Sequence, residues 1–232
     1  MLMEVSAKLK QIKQQINAAC QKVNRQPDDI KIIAVTKYVS VARASEAIEA
    51  GIQDLGENRD EGLLEKWGVL GDKPIWHFIG TLQTRKVKNV IDKVEYFHSL
   101  DRLSLAQEIN KRANKKIKCL VQVNVSNEES KHGLRPEEVL DFIKTLEIME
   151  NITIAGLMTM APLTNDEEFL RGCFRKLRAL QEKVQAEGLD FAPCTELSMG
   201  MSNDFVIAIE EGATMVRIGT ALVGEDNEEE FL

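Results

Sequence analysis

IKIIAVTK, residues 30–37, is a β-branched apolar run that ends in a lysine. Apolar residues in direct succession suit a strand buried on both faces, as parallel strands covered by helices are. The same kind of segment recurs along the chain: a short apolar run, a polar turn, then a charged stretch with helical spacing. Candidate strands are Ile30–Lys37, Asp54–Asn58, Trp76–Gly80, Tyr96–Asp101, Ile117–Val125, Ile152–Met160, Glu196–Gly200 and Met215–Val223. Helical patterns fill the gaps, among them Arg102–Asn114, Pro136–Met149 and Asp166–Glu187. A helix between consecutive strands returns the chain to the same end, so the strands pair in parallel. Eight such units in one unbroken chain favour an α/β fold of the (β/α)8 TIM-barrel type over an open doubly wound sheet.

The 232 residues suit a single barrel domain spanning 1–232. Residues 1–24 read as an additional N-terminal helix, with Leu2, Val5, Leu9, Ile12 and Ile16 on one face. Residues 225–232 read as an acidic, solvated tail. A net charge of −7 argues against a nucleic-acid or anionic-membrane surface. Charges near the N-terminus and the lack of a long apolar run give no signal peptide or membrane span. Cys20, Cys119, Cys173 and Cys194 are scattered, as reduced thiols in a cytoplasmic protein would be. His77, His98 and His132 are too dispersed for a zinc motif, and no glycine-rich nucleotide motif occurs. No metal site is therefore expected.

Chemistry in such barrels sits at the C-terminal ends of the strands. Lys37 ends the first one, at the edge of an apolar run where desolvation would make its amine nucleophilic. A lysine at a strand end can equally snorkel to water. Two further loops weigh against that blander reading. Ser198-Met199-Gly200-Met201-Ser202 leads into a helix over Phe205–Glu211, where Ser202 could cap the helix or offer its hydroxyl to an anion. Arg217-Ile218-Gly219-Thr220 ends the eighth strand, and loops seven and eight are where such barrels commonly hold phosphate. A phosphate there and a lysine able to reach an aldehyde together describe pyridoxal 5′-phosphate. Arg217 would face the pyridine nitrogen, unless it pairs inside the barrel with a carboxylate such as Glu57. The methionines at 158, 160, 199 and 201 would wall the cofactor.

The motifs AVTK (34–37), GENR (56–59), WHFIGTLQTRKVK (76–88), HSLD (98–101), QVNVSNEESKHGL (122–134), GLMTMAP (156–162), ELSMGMSNDF (196–205) and VRIGTALVG (216–224) extend this reading. Together they resemble the pyridoxal phosphate homeostasis proteins, a family related to the N-terminal barrel of alanine racemase. The resemblance runs from the N-terminal helix to Gly224. It implies Lys37 as the Schiff-base lysine, Ser202, Gly219 and Thr220 as phosphate contacts, and Arg217 as partner of the ring nitrogen. Asn58, Met158 and Ser198 would line the pocket. The family usually has histidine where Thr81 stands and asparagine where Arg85 stands, so the loop after the third strand gains no implied role.

Racemisation on this cofactor needs proton transfer at both faces of the α-carbon. Only Tyr38 and Tyr96 are present, one beside Lys37 and the other at the start of its strand. The resemblance therefore implies a cofactor carrier, not an enzyme, that serves cofactor homeostasis and passes it to pyridoxal-phosphate-dependent apo-enzymes. A monomer is expected, because a closed barrel needs no partner to complete its core. A weakly active racemase-like enzyme and an aldolase-like barrel using Lys37 on a sugar phosphate remain the alternatives.

Overall fold

The computed structural model describes residues 2–126, 128 and 131–224. The acidic tail, the Leu2 side chain and part of the 122–134 motif lie outside the described residues. The elements, in chain order, are α1 (Leu2–Lys22), β1 (Lys31–Val35), α2 (Val41–Glu49), β2 (Asp54–Glu57), α3 (Asp60–Leu70), β3 (Ile75–Phe78), α4 (Val87–Val90), β4 (Tyr96–Leu100) and α5 (Leu103–Arg112). There follow β5 (Ile117–Gln122), α6 (Val139–Thr145), β6 (Ile152–Met158), α7 (Glu167–Ala186), β7 (Glu196–Ser198), α8 (Phe205–Glu210), β8 (Met215–Ile218) and α9 (Thr220–Val223). The strands form a closed parallel barrel in sequence order. It is closed by β8 against β1, with Ile33 opposite Arg217 and Ala34 opposite Ile218. This is the expected (β/α)8 barrel, with α1 as the extra N-terminal helix.

Alternation along the strands divides the interior in two. Outward residues such as Ala34, Leu55, Phe78, Phe97, Val121, Leu157 and Ile218 join the large core between barrel and helices. Inside the barrel, a smaller cluster of Ile33, Tyr96, Leu120, Ala155, Met158 and Met215 shares space with buried His77, His98, Ser198 and Arg217. Helix α1 buries Val5, Leu9, Ile12 and Ile16, and it packs on α8 and α9. Just beyond α1, Arg25 donates to the carbonyls of Ile209 and Ala213 and so ties the N-terminal segment to the end of α8.

Most strands stop one to three residues short of their expected ends. The largest correction concerns the eighth, expected to run to Val223. It ends at Ile218, because Gly219 (φ −98°, ψ −110°) turns the chain. The Leu222 and Val223 N–H groups then donate to the Gly219 carbonyl. Ala221, Leu222 and Val223 are apolar enough to read as strand, yet they form α9. The helix expected over Pro136–Met149 is a turn of 3-10 helix (Pro136–Glu138) followed by α6, which ends at Thr145. Beyond it the backbone tightens into i→i−3 bonds, Leu146 to Ile143 and Met149 to Leu146.

Candidate functional site

The early end of β8 places Gly219 and Thr220 at the barrel mouth. Thr36 donates its N–H to the Gly56 carbonyl, and β1 gives way to a turn that carries Lys37. Lys37 is therefore exposed, with its ammonium 4.7 Å from the centre of the Tyr38 ring. The burial expected from its place after an apolar run is not found. Across the mouth, Gly200 adopts φ +89°, a conformation that favours glycine, and a Cβ there would lie 2.6 Å from Ala208 Cβ. Asp204, and not Ser202, occupies the N-cap position of α8, and its Oδ1 accepts the Met201 N–H at 2.6 Å. Ser202 is left half-buried with its side chain on the mouth.

These loops enclose a cavity of 520 Å³. Six of the expected residues line it: Lys37, Asn58, Ser202, Arg217, Gly219 and Thr220. Met160 and Met201 also reach it, as do Thr81 and Gln122, which carried no expected role. Arg85 does not, and its guanidinium donates instead to the Gln83 side chain. Met158 and Ser198 are not on the cavity wall but behind it, each at most 1% exposed. Met158 packs in the barrel interior, whereas Ser198 accepts a 2.6 Å hydrogen bond from Arg217 Nη1. A larger cavity, 660 Å³, opens at the opposite end beside Lys31, Asp54 and Glu196. Size does not choose between the two; the gathering of an amine, a guanidinium and hydroxyls does.

Arg217 forms the floor of the mouth cavity. The hydrogen bonds its guanidinium donates go to neutral acceptors, the Ser198 hydroxyl and, at 2.8 Å, the Thr159 carbonyl. Burial pushes the guanidinium down to about 10, with the charge of Asp204 working the other way. Burial also raises the Asp204 carboxyl, against the Met201 N–H bond and the charge of Arg217. Glu57 does not pair with Arg217. Its Oε1 accepts from Thr36 Oγ1 at 2.6 Å and lies 3.1 Å from Lys66 Nζ. The cavity thus holds a buried cation with spare positive charge, an amine at the rim, and a loop pair able to receive an anion. That donor set fits a small molecule with a carbonyl carbon, a neutral acceptor and a phosphate.

Fold and site together define a closed β/α barrel with a lysine-bearing mouth. The family model described as "Alanine racemase, N-terminal domain" matches residues 7–227, and the chain belongs to that family. A relative from Aquifex aeolicus named "Pyridoxal phosphate homeostasis protein" is 42% identical over 227 residues, covering 96% of this chain and 99% of its own. Among solved structures, PipY of Synechococcus elongatus with PLP bound superposes with a TM-score of 0.83 at 29% identity. That match covers 95% of this chain and 100% of PipY. The alanine racemase of Corynebacterium glutamicum shares the fold at a TM-score of 0.76 and 14% identity, with 95% of this chain covering 61% of the racemase.

Sequence reasoning missed the histidines. The three histidines are too dispersed for a zinc motif, and that reading gives no sign that Nδ1 of His77 lies 2.9 Å from Nε2 of His98. Both are hidden by alternation: His77 takes an inward position between Trp76 and Phe78 of the outer core, and His98 one between Phe97 and Ser99. Among the described residues no cluster suited to a metal ion is found, and no helix is long and apolar enough to cross a membrane.

Proposed function

We propose that this chain binds pyridoxal 5′-phosphate at the barrel mouth and serves its homeostasis, holding the cofactor without an evident catalytic cycle. The observation that carries this reading is the meeting of Lys37, Arg217 and the Ser202 and Gly219–Thr220 loops on one cavity. When bound, the cofactor supplies an electrophilic aldehyde carbon and a ring that accepts electrons. Lys37 would bond that carbon. Ser202, Gly219 and Thr220 would hold the phosphate, and Asn58 would flank the ring. Met158 and Ser198 act from beneath, by filling the interior and fixing Arg217. Arg217 would donate to the ring nitrogen; because arginine keeps its proton, that nitrogen stays unprotonated and the ring is a weak electron sink. Such a site favours holding over carbanion chemistry.

The tyrosines support the same reading. Tyr38 is 66% exposed and stands beside Lys37, while Tyr96 is buried near Lys31 at the other end of the barrel. Neither is placed to face Lys37 across a substrate. The proposed carrier works as a cytoplasmic monomer and hands its cofactor to apo-enzymes.

The purified protein should show a visible absorption band that is absent from Lys37→Ala, and borohydride should fix the cofactor on Lys37 in a peptide map. A colourless protein that borohydride links only to a sugar phosphate would point to aldolase chemistry instead. Transfer to a defined apo-enzyme, compared with free cofactor at equal concentration, tests the homeostatic part.

A further inference from the structure

A chain of hydrogen bonds runs through the barrel from foot to mouth. Asp54 Oδ1 lies 2.8 Å from His77 Nε2, and His77 Nδ1 lies 2.9 Å from His98 Nε2. His98 Nδ1 is 2.9 Å from Ser198 Oγ, which is 2.6 Å from Arg217 Nη1. All five residues are buried, and His77, His98 and Ser198 are fully so. Arg217 reaches the mouth cavity, and Asp54 reaches the cavity at the foot.

The two ends fix the direction of the chain. A guanidinium can only donate and a carboxylate can only accept. Arg217 therefore donates to Ser198, whose own hydroxyl donates to His98 Nδ1. A neutral His98 that accepts at Nδ1 carries its proton on Nε2 and donates to His77 Nδ1. By the same rule His77 donates from Nε2 to Asp54. One proton then sits on each link, and both rings are neutral.

The surroundings favour that state. Burial drives both imidazoles below their ordinary value, His98 further because a proton on His77 and the charges of Arg217 and Lys31 all oppose one on His98. For His77, the Asp54 hydrogen bond and charge and the Glu196 charge oppose burial, while Lys31 adds to it. The groups facing the pair are Lys31 on β1, Asp54 on β2, Tyr96 on β4, Glu196 on β7 and Arg217 on β8. Tyr96 stacks on His77 with ring centroids 4.5 Å apart and carries Lys118 of β5 over its ring. Asp204 adds its charge beside Arg217. A second proton on His98 would give Ser198 a second donor and leave its own hydrogen without an acceptor in the chain.

We propose that His77 and His98 are positioning residues that relay the carboxylate of Asp54 to Ser198, and so hold Arg217 as a fixed donor at the floor of the cofactor cavity. This rests on the pyridoxal-phosphate reading, and the first measurement decides the relay independently of it. Nitrogen-15 NMR of the cofactor-free chain near neutral pH should show both His77 and His98 as neutral Nε2–H tautomers. An Nδ1–H tautomer at either ring overturns the proposal.

The second measurement titrates cofactor binding by absorbance across pH in the full chain and in His98→Gln, with Ser198→Ala as a second variant should the first fail to fold. Binding should weaken about tenfold in the variant at neutral pH, the scale of one disturbed charge-assisted hydrogen bond. The wild-type chain should lose affinity as pH falls through the titration of His98, and the variant should lack that component. A variant with wild-type affinity and the same pH profile overturns the relay, whatever its melting temperature. If the wild-type chain binds no cofactor at any pH, the function reading falls, and the tautomers still decide the relay.

Discussion

Gly200 shows how one residue shapes the mouth. Its φ of +89° turns the chain after β7, and an added Cβ would also approach Phe205 Cα to 2.9 Å. Gly200→Ala should therefore cost about 1–3 kcal/mol, from left-handed strain plus the clash with α8. Urea denaturation measures the loss, and a cofactor titration should show weaker binding because Ser202 moves with the turn. Unchanged stability would mean the turn is not under this constraint. At this scale the sequence was informative where function follows from position at a strand end. Lys37, Arg217, Gly219 and Thr220 each follow or interrupt an apolar run, and Asn58 directly follows the short strand β2. It was uninformative where function depends on the side of the strand. His77, His98 and Ser198 alternate with residues of the outer core, and nothing in their spacing of 21 and 100 positions announces contact. Met158 and Ser198 stand at the ends of β6 and β7, one layer behind the cavity wall.

Elements hold the mouth in shape through a buried ion pair that joins α3 to β2. Lys66 and Glu57 are 3% and 1% exposed, and the second Glu57 oxygen, Oε2, has no hydrogen-bond partner. Their nine-position spacing spans a turn and two turns of helix, which no periodicity rule links. Removing the lysine would strand a carboxylate that only Thr36 then satisfies. Lys66→Met should accordingly destabilise by about 3–5 kcal/mol, read as a lower urea midpoint. The double variant with Glu57→Gln should recover much of it, since the buried charge is then gone. Were the single variant as stable as wild type, the pair would contribute nothing to holding α3 on β2. The strand and helix order itself was legible, because each apolar run is short and each helix is amphipathic. Boundaries were less so. Ala221–Val223 is apolar in either conformation, and only the backbone dihedrals of Gly219 decide for helix.

The molecule as a whole places neutral histidines inside the barrel and paired carboxylates outside it, and acid should act on the two in sequence. Burial keeps His77 and His98 neutral below the ordinary imidazole value of 6.5. An unfolded chain binds those protons near 6.5 and the native chain does not, so the unfolded state holds more protons there and stability falls as pH falls. This contribution is fully present above 6.5 and is lost toward the lower native values. The carboxylates follow in a lower window. Burial works to raise Glu210 and Glu211, but hydrogen bonds from Lys22 and Arg171 to the first, and from Arg175 and Arg171 to the second, hold both below the ordinary 4.5. Their stabilisation is present above 4.5 and disappears below it, as protonation breaks the ties of α1 and α7 to the end of α8. The urea midpoint of the cofactor-free chain should therefore decline from about pH 7 to about pH 5, before carboxylates titrate. His98→Gln should make that upper decline shallower, leaving the His77 share, and should leave the lower one intact, because the pairs outside the barrel are untouched. A wild-type midpoint that stays constant until the carboxylate range would show that the barrel interior takes up protons as freely as the unfolded chain, which the neutral relay forbids.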